Sequence, residues 1–379
     1  MAYLDCNATT PLAPEALEAM LPFLREEYGN ASSIHAVGRR ARSALDDARD
    51  RFAALVGVRP HEIVFTGGGT ESDNLGILGL ARSRAAESRH VVTAATEHHA
   101  VLHAFDYLEK HEGYEVTRLP VDRDGRVDPE DVRRVVRADT SLISVMSANN
   151  ETGTIQPVAE IARVARESGV AFHSDMVQSF GKLPVELRGL TAASFAGHKF
   201  YGPKGVGVLF LEAGVPMTCL HHGGFHENQR RPGTENVAAI VGMVAAAEWV
   251  FQDFEAEQRR EAVLRDRLWA GIRELTPAAK RNGHPTETLA NTLNVSFSGA
   301  DGETLLIGLD LEGIAVSSGS ACMVGSVMPS HVLLAMGVPM EDARATVRFS
   351  LGKMTTENDV DAAVSALGRV LERQAVRSV

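Results

Sequence analysis

Cysteine is scarce in this sequence: Cys6, Cys219 and Cys322 are the only three, scattered and odd in number. That excludes a disulfide framework and any Cys-x-x-Cys metal clip, and it fits a reducing compartment. Positive charge is short as well. Lys and Arg total 38 against 49 Asp and Glu, a formal net charge of -11 that argues against nucleic acid or an anionic membrane surface as main partner. No apolar run reaches bilayer length; the most apolar one, 237–251, carries Glu248 and is too short to span. No basic segment leading into an apolar one opens the chain, and repeats and low-complexity tracts are absent. The expectation is a soluble, cytoplasmic protein with no membrane partner. What is present is ordinary for a globular chain: 44% apolar and 23% charged residues over 379 positions, enough for a large core and two domains.

Periodicity predicts helices over 14–28 and 37–56, the second with Ala41, Ala44, Leu45, Ala48, Phe52 and Leu55 on one face. Strands and helices then alternate. Strands are predicted at 62–65, 90–94, 141–146, 170–174 and 206–211, and helices from Thr70, over 100–110 and over 157–168. Short apolar strands separated by helices indicate a mostly parallel α/β sheet covered on both faces. From 237 to 275 the pattern reads as almost continuous helix. Strands at 291–296, 314–316 and 345–351 and helices at 302–309 and 357–373 complete a smaller α/β domain. The expected division is a large domain, 15–256, and a small one built from 1–14 and 257–379.

The stretch 171–205 organises the chain. An apolar strand runs into Asp175, and Ser-Phe-Ala-Gly-His leads to Lys199 at the end of another buried strand. A buried acid needs a cationic or hydrogen-bonding partner, and a lysine in a pocket needs a reason to be there. Pyridoxal 5'-phosphate (PLP) answers both, with a protonated ring nitrogen for the acid and an aldehyde for the amine. Alone, such a pair reads as readily as a surface lysine and a helix-capping acid, so the neighbouring motifs matter.

Thr66-Gly67-Gly68-Gly69-Thr70-Glu71-Ser72 follows a strand and opens a helix, an arrangement suited to one phosphate or to a plain turn capped by Thr70. It lacks the spacing of a dinucleotide or nucleoside-triphosphate loop. Thr96-Glu97-His98-His99 and Ala148-Asn149-Asn150-Glu151 close two further strands on the same sheet edge, where α/β folds bind ligands. His98 there can stack on an aromatic cofactor and exchange protons. No characteristic metal spacing surrounds the histidines; His221, His222 and His226 read as loop and interface residues. Arg230 to Asn236 offers guanidiniums and the hydroxyl of Thr234, while Arg348 within an apolar strand demands a carboxylate from protein or substrate. Ser317 to Ser326, small residues around Cys322, has no period and reads as a loop; taken alone, its cysteine is more readily a small apolar residue than a thiol that travels.

As a set these motifs resemble the NifS/IscS-like cysteine desulfurases, the class V aminotransferase branch of fold-type I PLP enzymes. The resemblance runs from Tyr3-Leu-Asp-Cys-Asn-Ala-Thr-Thr-Pro to Arg348-Phe-Ser-Leu-Gly-Lys. It implies that Lys199 is the Schiff-base lysine, that Asp175 and Gln178 contact the ring nitrogen and ring hydroxyl, and that His98 stacks on the ring. It assigns the phosphate to Gly69, Thr70 and His198, with Thr234 supplied by the second subunit of a homodimer. It further implies that Asn150 and Arg348 hold cofactor oxygen and substrate carboxylate, and that Cys322 is the nucleophile. Met176, Gly67, Ala196 and Cys6 depart from the family's usual residues but leave each role filled.

The implied reaction converts L-cysteine to L-alanine, leaves a persulfide on Cys322 and passes sulfur to an acceptor or scaffold protein for iron-sulfur cluster or thio-cofactor synthesis. Selenocysteine lyase, aminotransferase and a non-catalytic sulfur-assembly scaffold stand as alternatives.

Overall fold

Residues 1–86, 88–318 and 329–377 are described by the computed structural model. The chain opens with β1 (Ala2–Tyr3), α1 (Pro14–Arg25) and α2 (Ala36–Val56). There follow β2 (Ile63–Thr66), α3 (Gly69–Ser83), β3 (His90–Ala94), α4 (His99–Glu112), β4 (Glu115–Leu119), α5 (Pro129–Val135), β5 (Thr140–Ser144) and α6 (Val158–Glu167). The next elements are β6 (Ala171–Asp175), β7 (Ala192–Ala196), β8 (Gly207–Leu211), α7 (Val237–Phe251) and α8 (Phe254–Leu275). The remainder is β9 (Lys280–Asn282), β10 (Thr292–Ser296), α9 (Gly302–Leu311), β11 (Ile314–Ala315), α10 (His331–Ala335), α11 (Met340–Arg344), β12 (Thr346–Ser350) and α12 (Glu357–Arg377).

The central sheet has seven strands in the order β2-β8-β7-β6-β5-β3-β4. Only β8 runs against its neighbours, so the sheet is mostly parallel, as the alternation of strands and helices predicts. Successive residues of one strand point to opposite faces, and both faces are covered. Val91, Leu142, Ala171 and Leu209 pack with α3 and α4 residues such as Leu75 and Phe105. Val92, Ile143, Phe172 and Phe210 pack on the other side with Leu45 and Phe52 of α2 and Ile240 and Met243 of α7. Burial on both sides is why these strands show apolar residues toward both faces and no strict apolar-polar alternation.

A second core lies around the antiparallel sheet β12-β10-β9 and draws on Leu264 and Leu268 of α8 and Leu367 of α12. Ala2 and Leu4 join it from the other end of the sequence, through the parallel pair β1-β11.

The single helix expected over 237–275 is a correction: α7 and α8 meet at 74°. Gln252 is extended and Asp253 is left-handed with φ 54, and no proline or glycine marks the break. The bend keeps the almost wholly apolar α7 in the first core and sends the Leu264, Leu268, Ile272 stripe of α8 to the second. Among the described residues no single helix is long and apolar enough to cross a membrane.

Candidate active site

Five loops leave the sheet at one edge, after β2, β3, β5, β6 and β7, and surround a cavity of 390 Å³. Gly69, Thr70, His98, Asn150, Asp175, Gln178, His198, Lys199 and Arg348 all line it. Thr234 does not; it is exposed on the segment before α7. Cys322 lies outside the described residues. On one described flank Ser317 pairs with Arg348 of β12, and on the other His331 lines the cavity while donating to the main-chain oxygen of Glu97 at 2.9 Å.

Asp175 is the last residue of β6 and is buried; its Oδ1 accepts from the Val177 N–H at 2.9 Å. Burial pushes its carboxyl up to about 6, opposed by the Val177 bond and by Lys199. An acid so placed is completed by a cation, and a protonated ring nitrogen is a fitting one. Lys199 ends a short turn after β7 and donates to the main-chain oxygens of Asn7 at 2.6 Å and Ala8 at 2.8 Å. His98 caps α4, its Nδ1 accepting the Ala100 N–H at 3.1 Å, and burial with Lys199 nearby brings its ring down to about 4. A neutral, anchored ring is suited to lie flat on another ring. His198, at 3.1 Å from Thr9 Oγ1, is likewise brought down to about 4, by burial and then Lys199.

The glycine turn meets α3 differently from the capped turn that was the alternative above. The helix starts at Gly69, its first turn has no side-chain cap, and Thr70 lies inside that turn at the rim. Uncapped N–H groups facing a cavity are an anion cradle. A Cβ on Gly69 would stand 2.9 Å from Val177 Cγ2 and 3.3 Å from Ala196, so a side chain there would fill the corner. Glu71 takes the Gly67 N–H at 2.7 Å and is itself held by Arg231 at 2.7 Å. Arg348 finds the carboxylate its strand position demands: Nη2 donates to Asp5 at 2.8 Å and Nη1 to the main-chain oxygen of Asn150 at 3.0 Å. An acid, an amine, a flat neutral ring and an anion cradle around one cavity fit PLP.

The motifs assign no role to several groups in the cavity wall and beside it. Asp73 of α3 and Glu97 are buried acids, and burial holds both carboxyls well above the usual range. Glu151 is buried against Ser330, and His331 and His99 stand with ring centroids 4.7 Å apart at the rim. Asn7 binds Lys199, Gln178 and Asn150 at once. Asp73 lies in the polar run Thr70-Glu71-Ser72-Asp73-Asn74, so nothing local distinguishes it as a buried acid.

The aminotransferase class-V family model matches residues 2–363. The cysteine desulfurase IscS of Dictyoglomus turgidum is 46% identical over 373 residues, covering 98% of this chain and 94% of that one. The cysteine desulfurase IscS of Methanosarcina thermophila is also 46% identical, covering 98% and 92%. The solved structure of a NifS-like protein superposes with a TM-score of 0.92 at 38% identity, over 98% of this chain and 100% of that one. The chain belongs to the class-V aminotransferase family and, within it, to the cysteine desulfurases of the IscS and NifS type.

Proposed function

We propose that the cavity between Asp175 and Lys199 is where this cysteine desulfurase holds PLP and L-cysteine. The family depends on PLP in general, and one observation carries the assignment here: a buried carboxylate and an amine at neighbouring strand ends face one cavity. When bound there, PLP supplies an aldehyde for the Lys199 amine and a ring that draws electrons from the substrate's bonds.

The chain's own residues do the rest. Asp175 keeps the proton on the ring nitrogen, Gln178 donates toward the ring hydroxyl and His98 lies against the ring face. Gly69, Thr70 and His198 hold the phosphate, joined by Thr234 of the partner subunit in a homodimer. Asn150 and Arg348 orient the cofactor oxygen and the substrate carboxylate, with Asp5 holding Arg348 in place. Lys199 and His98 move protons at the substrate carbons. The Cys322 thiolate attacks the substrate sulfur, the carbon–sulfur bond breaks, its electron pair remains with the carbon part, and protonation yields alanine. The sulfur stays on Cys322 as a persulfide until an acceptor thiol or scaffold takes it.

The larger unit 15–256 and the smaller unit of 1–14 and 257–379 belong to the same proposal, supported by the second core drawing from both chain ends. Cytoplasmic location rests on the sparse cysteines.

Incubating the protein with PLP, cysteine and an excess of a reducing thiol, which is oxidised to its disulfide as it releases the persulfide sulfur as sulfide, while measuring alanine and sulfide tests the reading. Equal amounts of both are expected. Lys199→Ala is expected to lose the visible absorption of bound cofactor together with turnover. Cys322→Ser should keep the absorption and lose sulfide release; full turnover in that variant removes Cys322 from its role.

A further inference from the structure

Behind Lys199 lies a second lysine that the mechanism does not use. Lys182 is buried, and its hydrogen bonds go to two amide oxygens, Gln178 Oε1 at 2.7 Å and Asn7 Oδ1 at 3.2 Å, rather than to a carboxylate. Asn7 is the hub of this cluster. Its main-chain oxygen accepts from Lys199 Nζ at 2.6 Å and from Gln178 Nε2 at 2.9 Å. Its side chain accepts from Asn291 at 3.1 Å and donates to Thr292 Oγ1 at 2.9 Å and to the Asn150 main-chain oxygen at 3.2 Å. Lys199, Gln178 and Asn150 are therefore tied to one residue, and Lys182 is fastened to two members of the ring.

A lysine has three donors and no acceptor. Its bond to Gln178 Oε1 therefore fixes the amide, with the NH2 group donating to the Asn7 main-chain oxygen. Burying a cation against neutral oxygens is costly, and the fold keeps it 2.7 Å from a residue of the cavity wall. The charged and titratable groups around Lys182 are Lys199, Arg348, Glu261 and Cys6. Burial first, then Lys199 and Arg348, bring its amine down to about 7, against the pull of Glu261 and Cys6.

We propose that Lys182 is a positioning residue for the amine end of the cavity: through Asn7 and Gln178 it fixes where Lys199 rests and which side of the Gln178 amide faces the cofactor, and it sets a second positive charge behind that amine. The proposal rests on the reading that Lys199 carries PLP. It has a consequence separate from turnover. The visible band of bound PLP changes as the nitrogen supplied by Lys199 loses its proton, and a like charge nearby favours that loss.

The experiment is a pH titration of the visible band in the PLP-loaded protein, in wild type, Lys182→Met and Lys182→Gln. Removing the charge is expected to raise the midpoint by about one pH unit in both variants. Lys182→Gln retains a donor for Gln178 and should hold PLP more tightly than Lys182→Met. An unchanged midpoint in a folded variant that shows the band overturns the proposal. So does recovery of both variants only as unfolded protein without cofactor, which makes Lys182 a purely structural residue. A wild-type protein lacking any band that Lys199→Ala removes instead overturns the reading beneath it, so the two failures are distinct.

Discussion

Asp175 and Arg348 show how one buried charge settles the chemistry around it. Asp175 meets a single main-chain N–H and the field of Lys199, and burial raises its carboxyl to about 6. A cationic ring nitrogen beside it would reverse that shift, and removing one partner of such a buried pair costs about 3–5 kcal/mol because the other charge is left unpaired. Asp175→Asn, which keeps the shape and removes the charge, is expected to lower kcat by about a hundredfold to a thousandfold. Steady-state alanine formation checks this, and activity within threefold of wild type would contradict it. The demand for a carboxylate near Arg348 is legible in the sequence, because an arginine between Val347 and Phe349 in a strand has no other recourse. Which carboxylate answers is not legible. Asp5 lies 343 positions away, and only the pairing of Asp5 with Ser350 beside β12 brings it there. Lys182 and Asn7 escape a sequence reading for the same reason, since their partners meet them only in three dimensions.

Strand–turn–helix units are the clearest elements in the sequence, because strands buried on both faces leave apolar runs that turns must interrupt. Elements without that pressure leave weaker traces. β4, Glu115–Leu119, is an edge strand with partly exposed residues and no apolar run. β9 spans three residues at the edge of its sheet, and α5 only seven. The break between α7 and α8 is set by Asp253 in a left-handed conformation, a choice no local composition announces. One element contact bears directly on the site. Gly207 of β8 passes so close behind the glycine turn that a Cβ would stand 2.7 Å from the carbonyl carbon of Gly68 and 2.6 Å from the Phe195 oxygen. Both neighbours are backbone, so the turn itself must shift. Gly207→Ala is expected to cost about 1–3 kcal/mol of stability and to raise the PLP dissociation constant on the order of tenfold. Absorbance titration with PLP measures the second effect; wild-type affinity would show that the turn is not braced by β8.

Between the two cores runs a seam lined by Phe180, Phe200 and Tyr201 on one side and Leu351 on the other, with Cys6, Lys182 and Glu261 in it. Burial, with Glu257 adding to it, pushes the Glu261 carboxyl up to about 8, against the pull of Lys182 and Arg260. A carboxyl raised in the folded state binds its proton more tightly there than in the unfolded chain. Its stabilising contribution is thus complete below about pH 4.5 and lost as pH rises through 8. Glu261→Gln is expected to gain stability relative to wild type at pH 9 compared with pH 5. Urea midpoints at the two values test it, and an equal difference at both removes Glu261 from the pH response.

The segment 2–10 crosses the same seam. It pairs with β11, lends Leu4 to the second core, donates the Asn7 N–H to the Ser350 hydroxyl oxygen and holds Lys199 through the Asn7 and Ala8 oxygens. Asp5 and Asn7 of this segment meet Arg348 and Ser350, partners more than three hundred positions later in the sequence. The seat of Lys199 thus depends on contacts between distant parts of the sequence, and a chain cut before β12 would lack the Ser350 and Arg348 partners that hold segment 2–10 in place.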